Sequence, residues 1–267
     1  MNIFFSLTSF IFGSLIGSFL NVVILRLPDG QSLGGRSHCP NCHRILGILD
    51  LFPIFSYLLL RARCRSCKLK ISPRYLIIEL LTGILFCLAY FYLTPQNPAE
   101  ILLLVKFWIA IATLICVFVI DFEHFIILDN IIFPAGIVVL ILNLVMDLFL
   151  GNQIFNLYSM FLSGIVAAFF AALPFFGIWY FSKGQWMGFG DVKLALFLGV
   201  ALGMPGVFVG LMLAVLLGGV FSTALLLFTK SNLKTKLPFG TFLSIGAVIA
   251  LFYGQNLYVW YLSILGF

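Results

Sequence analysis

Charge is what this 267-residue chain has least of: Asp, Glu, Lys and Arg together make up 9% of it, and only nine residues are acidic. A soluble domain carries about 25% charged residues, so a water-soluble fold is excluded. Basic residues are also missing ahead of the first apolar stretch, "MNIFFSLTSFIFGSLIGSFLNVVIL". A cleavable secretory signal needs a positive segment there and a shorter apolar core, so this stretch is expected to remain as a transmembrane helix. The turns "TPQNPAE" and "LGNQIFN" contain no Lys or Arg. No internal repeat and no low-complexity linker divides the chain.

Apolar residues are abundant, at 63% of the sequence. At roughly 20 residues per crossing, the runs predict the first helix and then spans at about 75–94, 99–120, 126–149, 156–181, 191–204, 205–229 and 238–253. The expected fold class is therefore all-α: a polytopic membrane helical bundle of about eight spans. The closing stretch "LYVWYLSILGF" is too short for another crossing and is expected to lie in the outer interface. The net charge of +6 (15 Lys and Arg against nine acids) would elsewhere suggest nucleic acid. Here the basic residues crowd into a few loops, so membrane topology explains the excess and no nucleic-acid partner is expected. Arg26 follows the first span, and Lys183, Lys230, Lys234 and Lys236 fall in alternate turns; Lys106, a turn or two into its helix, is the exception. The positive-inside rule then predicts an outside N-terminus and a cytoplasmic loop from Arg26 to Arg74.

That loop holds nine of the fifteen Lys and Arg residues and four of the six cysteines. It sets the expected organisation: a first transmembrane helix at 1–27, a cytoplasmic cysteine-rich loop at 28–74 and a transmembrane bundle at 75–267. "HCPNCH" and "RCRSCK" place Cys39, Cys42, Cys64 and Cys67 as two CxxC pairs. Such pairs can supply four thiolates in a tetrahedron, the arrangement of structural zinc, and the surrounding Arg and Lys residues would offset its negative charge. A thiol–disulfide relay is the rival, and it loses because the loop is expected on the reducing side. His38 and His43 adjoin the ligands and are read as bystanders. Cys87 and Cys116 lie in spans and are read as buried, inert thiols. The segment "LDLFPIFSYLLL" (49–60) is too short to span and contains a proline, which makes it a hairpin or an interfacial segment.

The acids outside the loop are few. Glu100 and Asp147 fall near outer span ends, where an exposed interfacial acid needs no special role. "VIDFEHFIILDN" puts Asp121 at the inner end of one span and Asp129 at the start of the next, and "GFGDVK" puts Asp191 at the inner start of another. Asp121 and Asp191 thus reach the same depth. Two carboxylates in a low-dielectric bundle cannot both ionise cheaply and tend to share a proton. One can then act as base on a water while the other polarises a carbonyl, which is aspartic-protease chemistry. Gly188 and Gly190 would let backbone approach closely and leave room for an extended substrate. From spacing alone, other readings stay open: Asp191 and Asp129 as helix caps, Lys193 snorkelling to the interface, or the acids lining a proton-coupled transport path.

"FGSLIGSFLNVVILRLP", "CPNC" with "CRSC", "ISPRYLIIELLTGILF", "IDFEHFIILDN" and "GFGDVKL" occur in this order. Together, from about residue 10 to residue 200, they resemble the bacterial type IV prepilin leader peptidases. The resemblance implies a membrane aspartic endopeptidase of the bacterial cytoplasmic membrane that removes the basic leader of prepilins and pseudopilins at the cytoplasmic face. Its dyad would be Asp121 and Asp191, its zinc ligands the four loop cysteines, and zinc would have a structural role only. Many members also methylate the new amino terminus with S-adenosylmethionine; no methyltransferase glycine fingerprint is visible here, so that activity rests on the resemblance alone. One departure is Leu128, where the family usually has Pro before the second acid of its D-x7-D motif, so the helix-ending constraint at Asp129 is absent. Glu79, five residues after Arg74 and off its helical face, is a candidate for recognising the substrate's leader or the acid beyond the cut.

Overall fold

The computed structural model describes residues 2–39, 41–152, 156, 159–228 and 237–266. The turn carrying Lys230, Lys234 and Lys236, and part of "LGNQIFN", lie outside the described residues. The described residues are helical, with no strand beyond two isolated antiparallel bridges in the cysteine loop. The helices are α1 (Asn2–Arg26), α2 (Phe55–Leu59), α3 (Pro73–Leu93), α4 (Pro98–His124), α5 (Asp129–Phe149), α6 (Met160–Ser182), α7 (Phe189–Leu202), α8 (Gly206–Phe228) and α9 (Phe239–Ile264). By contact the chain forms two units, Met1–Gln96 and Asn97–Phe267.

Local chemistry sets the helix ends. Ser72 and Asn97 each precede a proline, and their side chains accept from the backbone N–H groups of Arg74 and Glu100. Proline at the first helical position loses no bond, because that N–H has no intrahelical partner. Ser159 caps α6 by accepting from Leu162 N. Thr94 and Phe125 close α3 and α4 in the left-handed region.

Among the described residues, seven helices are long and apolar enough to cross a membrane. The expected crossing at 191–204 is instead α7, 14 residues long. At 1.5 Å per residue it reaches about 21 Å, short of a hydrocarbon core of about 30 Å. It stops because Gly203 adopts φ +64 and Pro205 follows, a pairing that ends helices. The tail "LYVWYLSILGF" shows the opposite difference: α9 runs through it to Ile264. Gly254 does not break that helix, since it serves close packing; a Cβ there would lie 3.4 Å from Gly206 Cα. The segment 49–60 does not cross; it forms a 3-10 turn (Ile48–Asp50) and α2, with Ile48, Leu49, Phe55 and Leu59 exposed.

Within the first unit, α1 and α3 meet through glycines. A Cβ on Gly13 would lie 2.8 Å from Thr82 O, and one on Gly17 2.8 Å from Glu79 Cα. Without a hydrophobic force between helices in lipid, such close backbone approach supplies the dispersion that holds them. Asn21 Nδ2 adds a bond across the pair, donating to Tyr75 O at 3.2 Å. In the second unit the same device recurs: Gly199 seats α7 directly on the Ala167–Ala168 backbone of α6, and Gly246 seats α9 on Gly210 and Ala214 of α8.

A side chain at Gly199 would therefore push α7 off α6. Gly199→Val should lower the unfolding midpoint in detergent, by an overpacking cost of about 1–3 kcal/mol. Gly177→Ala, where nothing lies within reach of the added methyl, should leave it unchanged or slightly raised; equal effects of the two would refute close packing at Gly199.

Candidate active site

Three helix ends of the second unit build one polar site. Asp121 lies at the C-terminal end of α4, Asp191 in the first turn of α7, and Gly240 and Thr241 in the first turn of α9. Both acids are buried, 5% and 9% exposed. Asp121 Oδ2 accepts from Thr241 N at 3.0 Å. A Cβ on Gly240 would sit 2.8 Å from that same oxygen, so the carboxylate reaches the α9 terminus only because residue 240 has none. The N-terminal partial positive charge of a helix favours a carboxylate placed there. Asp191 is near enough for the charge on Asp121 to act on it.

Ile127, in the link between α4 and α5, fills the space between the first turns of α7 and α9. Its Cβ would be 2.9 Å from a Cβ on Gly190, and its Cδ1 3.0 Å from one on Gly240. The room expected at Gly190 is thus taken up by an isoleucine. Gly188 is different: it precedes α7 in extended conformation, and a Cβ there would meet nothing closer than Asp191 Oδ2 at 3.8 Å. Space beside Asp191 is open on that side. No local pattern singles out Ile127, and for Gly240 and Thr241 the one signal is the Pro-Phe-Gly-Thr start of the last span.

Asp129 opens α5, where Leu128 is the N-cap residue and makes no side-chain cap bond. Its carboxylate instead pairs with Lys193 Nζ at 2.5 Å. The same ammonium lies 5.2 Å from the Phe189 ring centroid and 5.9 Å from that of Phe133, within cation–π range. Lys193 and Asp129 therefore tie α7 to α5 and hold the far end of the Ile127 link, a tether where the usual proline is missing. Glu79 belongs to the first unit. It is buried, and its Oε2 accepts from Ile54 N at 2.8 Å rather than reaching Arg74. Ile54 has φ +63, a costly conformation for a β-branched residue, so Glu79 pins a strained turn before α2.

The cysteine loop is built of two matching knuckles. Cys39 N donates to Arg44 O and Cys64 N to Leu69 O, while His43 and Lys68, each just after the second cysteine, take φ +53 and +60. Asp50 binds Arg65 Nε at 2.8 Å, and Arg44 Nη1 donates to Ser66 Oγ at 2.6 Å, linking one knuckle to the other. The four sulfurs lie within 4.8 Å of one another, Cys39–Cys67 at 3.7 Å and Cys42–Cys64 at 4.0 Å. A zinc with four bonds of about 2.3 Å needs S···S separations of about 3.8 Å, so the donor set fits a tetrahedral ion. The Leu69 N–H pulls the Cys67 thiol down to about 6, and the N–H groups of Cys42 and Asn41 pull Cys39 down as well. Cys42 is the reverse: the Arg44 N–H lowers it, but desolvation and the other three thiols outweigh that and push it up to about 11. A cation is what would let Cys42 ionise beside its neighbours. His38 and His43 stack on each other with centroids 5.9 Å apart and are not in the cluster.

The comparisons with known proteins agree with this architecture. Residues 11–93 match the bacterial peptidase A24 N-terminal domain, and residues 108–223 match the type IV leader peptidase family. A prepilin leader peptidase/N-methyltransferase of Aeromonas salmonicida is 31% identical over 98% of this chain and 94% of its own. One from Aeromonas hydrophila is 31% identical with the same coverage. Another from Pseudomonas aeruginosa is 29% identical over 98% of this chain and 95% of its own. No solved structure matches.

The knuckle geometry predicts about one zinc per purified chain by metal analysis, lost when any of Cys39, Cys42, Cys64 or Cys67 becomes Ser. Chelation should speed proteolysis between Pro28 and Arg74 before it affects the spans. A chain that stays zinc-free with its loop equally protease-resistant would refute the metal centre.

Proposed function

Because the chain belongs to the type IV leader peptidase family, we propose that this prepilin peptidase works as an aspartic endopeptidase with Asp121 and Asp191 as its dyad. Seven apolar helices and the family together make it a multi-pass inner-membrane protein. The observation that carries the mechanism is the convergence of two buried carboxyl groups at one end of the second unit, with open space at Gly188. One carboxylate takes a proton from water, and the water oxygen bonds to the scissile carbonyl carbon. The other, protonated, hydrogen-bonds the carbonyl oxygen as it gains negative charge. Collapse of the tetrahedral carbon breaks the C–N bond, and the departing nitrogen takes a proton from the dyad. Thr241 N–H holds Asp121 in one orientation, leaving its other oxygen for the water or the carbonyl. A substrate must unwind to expose its peptide bond, and entry requires Ile127 to give way between Gly190 and Gly240.

The substrate under this reading is a prepilin or pseudopilin: a basic leader followed by an apolar helix that shares the bilayer with the enzyme. The Lys and Arg distribution supports an outside N-terminus and a cut at the cytoplasmic face. Zinc would be held by Cys39, Cys42, Cys64 and Cys67 and would fix the loop's shape. Methyl transfer from S-adenosylmethionine to the new amino terminus rests on the relatives' names, with no glycine-rich fingerprint in this chain behind it.

Asp121→Asn and Asp191→Asn should each lower cleavage of a prepilin by about 10³-fold or more, with the protein still inserted and its zinc retained. The double variant should be no worse than either single one, as for groups sharing one step. Near-normal turnover in either single variant would refute the dyad. For sidedness, vesicles exposing the cytoplasmic surface should process added prepilin and right-side-out vesicles should not. Proton leakage that depends on Asp191, without any cleavage, would favour a proton-coupled transporter instead.

A further inference from the structure

Lys106 has no part in that chemistry. It lies on α4 fifteen residues before Asp121, about 22 Å away along the helix axis at 1.5 Å per residue. It is only 7% exposed. A lysine at membrane depth is costly to insert, and such residues mark a partner or a site. Among the described residues, no hydrogen bond or ion pair engages its ammonium; Asp147 acts on it only at longer range. That carboxylate is already committed to the start of α6. Its Oδ2 accepts from Phe161 N at 2.8 Å, and its Oδ1 from Met160 N at 3.0 Å and Asn152 Nδ2 at 3.2 Å. Donors therefore outnumber acceptors here.

A cavity of about 280 Å³ opens beside Lys106, lined also by Ser159, Ser163, Gly203 and Met204. Ser163 Oγ accepts from Met204 N at 3.2 Å, which directs the hydroxyl's own proton elsewhere. Leu103, Leu202 and Leu251 form an apolar wall of the same cavity. A buried ammonium, a hydroxyl and an apolar wall suit an anion with several acceptor oxygens attached to an aliphatic group. We propose that this cavity binds a phosphate group, with Lys106 Nζ and Ser163 Oγ donating to its oxygens. Two sources could present that group at a membrane surface: the headgroup of an anionic phospholipid, or free phosphate. The apolar wall favours the lipid.

The test is thermal unfolding of the full chain in a non-ionic detergent, titrated separately with dihexanoyl phosphatidylglycerol, dihexanoylglycerol and inorganic phosphate. A saturable rise in midpoint with the phosphatidylglycerol and not with dihexanoylglycerol would support the phospholipid; the same rise with inorganic phosphate alone would assign free phosphate. Lys106→Gln should shift the titration midpoint to about tenfold or more higher concentration, the loss of one charge-assisted bond, and Lys106→Arg should retain binding. If Lys106→Gln does not fold, Leu103→Trp, which narrows the cavity and keeps the ammonium, should weaken binding in the same way. No saturable rise in the wild-type chain, or undiminished binding in Lys106→Gln or Leu103→Trp, would overturn the proposal. Because the readout is binding, neither result bears on peptide cleavage.

Discussion

A carboxylate inside an apolar helical bundle must find hydrogen-bond donors, and here the supply comes from the first turns of helices. Asp121 takes the Thr241 N–H at the start of α9. Asp147 takes the Met160 and Phe161 N–H groups at the start of α6. Glu79 takes the Ile54 N–H just before α2. The first-turn N–H groups of a helix have no intrahelical acceptor, so acid and helix end each remove the other's unsatisfied group. In lipid, where no water can substitute, this reciprocity decides where a helix may begin. Each of these bonds joins segments far apart in the chain and fixes one element against another.

The two buried acids of the candidate site inherit their position from that constraint. Asp121 is held by α9, whereas Asp191 sits within the first turn of α7, preceded by a glycine that leaves space beside it. The two acids differ in what holds them: Asp121 is engaged by the start of another helix, Asp191 by the backbone at the start of its own. The packing that keeps α7 in place is equally economical: Gly199 on α6, Gly190 on Ile127, and the Lys193–Asp129 tether to α5. These three contacts hold α7 against α6, the α4–α5 link and α5.

The cysteine loop solves a different problem. Its segment is short, basic and poor in buried apolar residues, so it lacks the core that would order a chain of this length. Two knuckles joined by Asp50, Arg44 and Arg65 bring four sulfurs to the spacing of a tetrahedron. A metal there would stabilise the loop independently of the bilayer.

Composition and pattern alone determined that this chain is a helical membrane protein, that its four loop cysteines form one group, and that Asp121 and Asp191 are the acids to watch. These are legible because each depends on local spacing or on the cost of charge in lipid. The position and 14-residue length of α7 were legible to within two residues, but its reading as a crossing was not sound, because 14 helical residues are shorter than the hydrocarbon core. Asp147 looked like an ordinary interfacial acid, and only the fold reveals it as fully buried against α6. Glu79 read as a candidate for contacting substrate, but its partner is a backbone N–H twenty-five residues earlier. Thr241 stands 120 residues from Asp121, and Ile127 meets both Gly190 and Gly240. No local pattern encodes such contacts. They exist because backbone donors, unlike side chains, leave no mark in the sequence, and tertiary packing alone chooses which helix end a buried carboxylate will find.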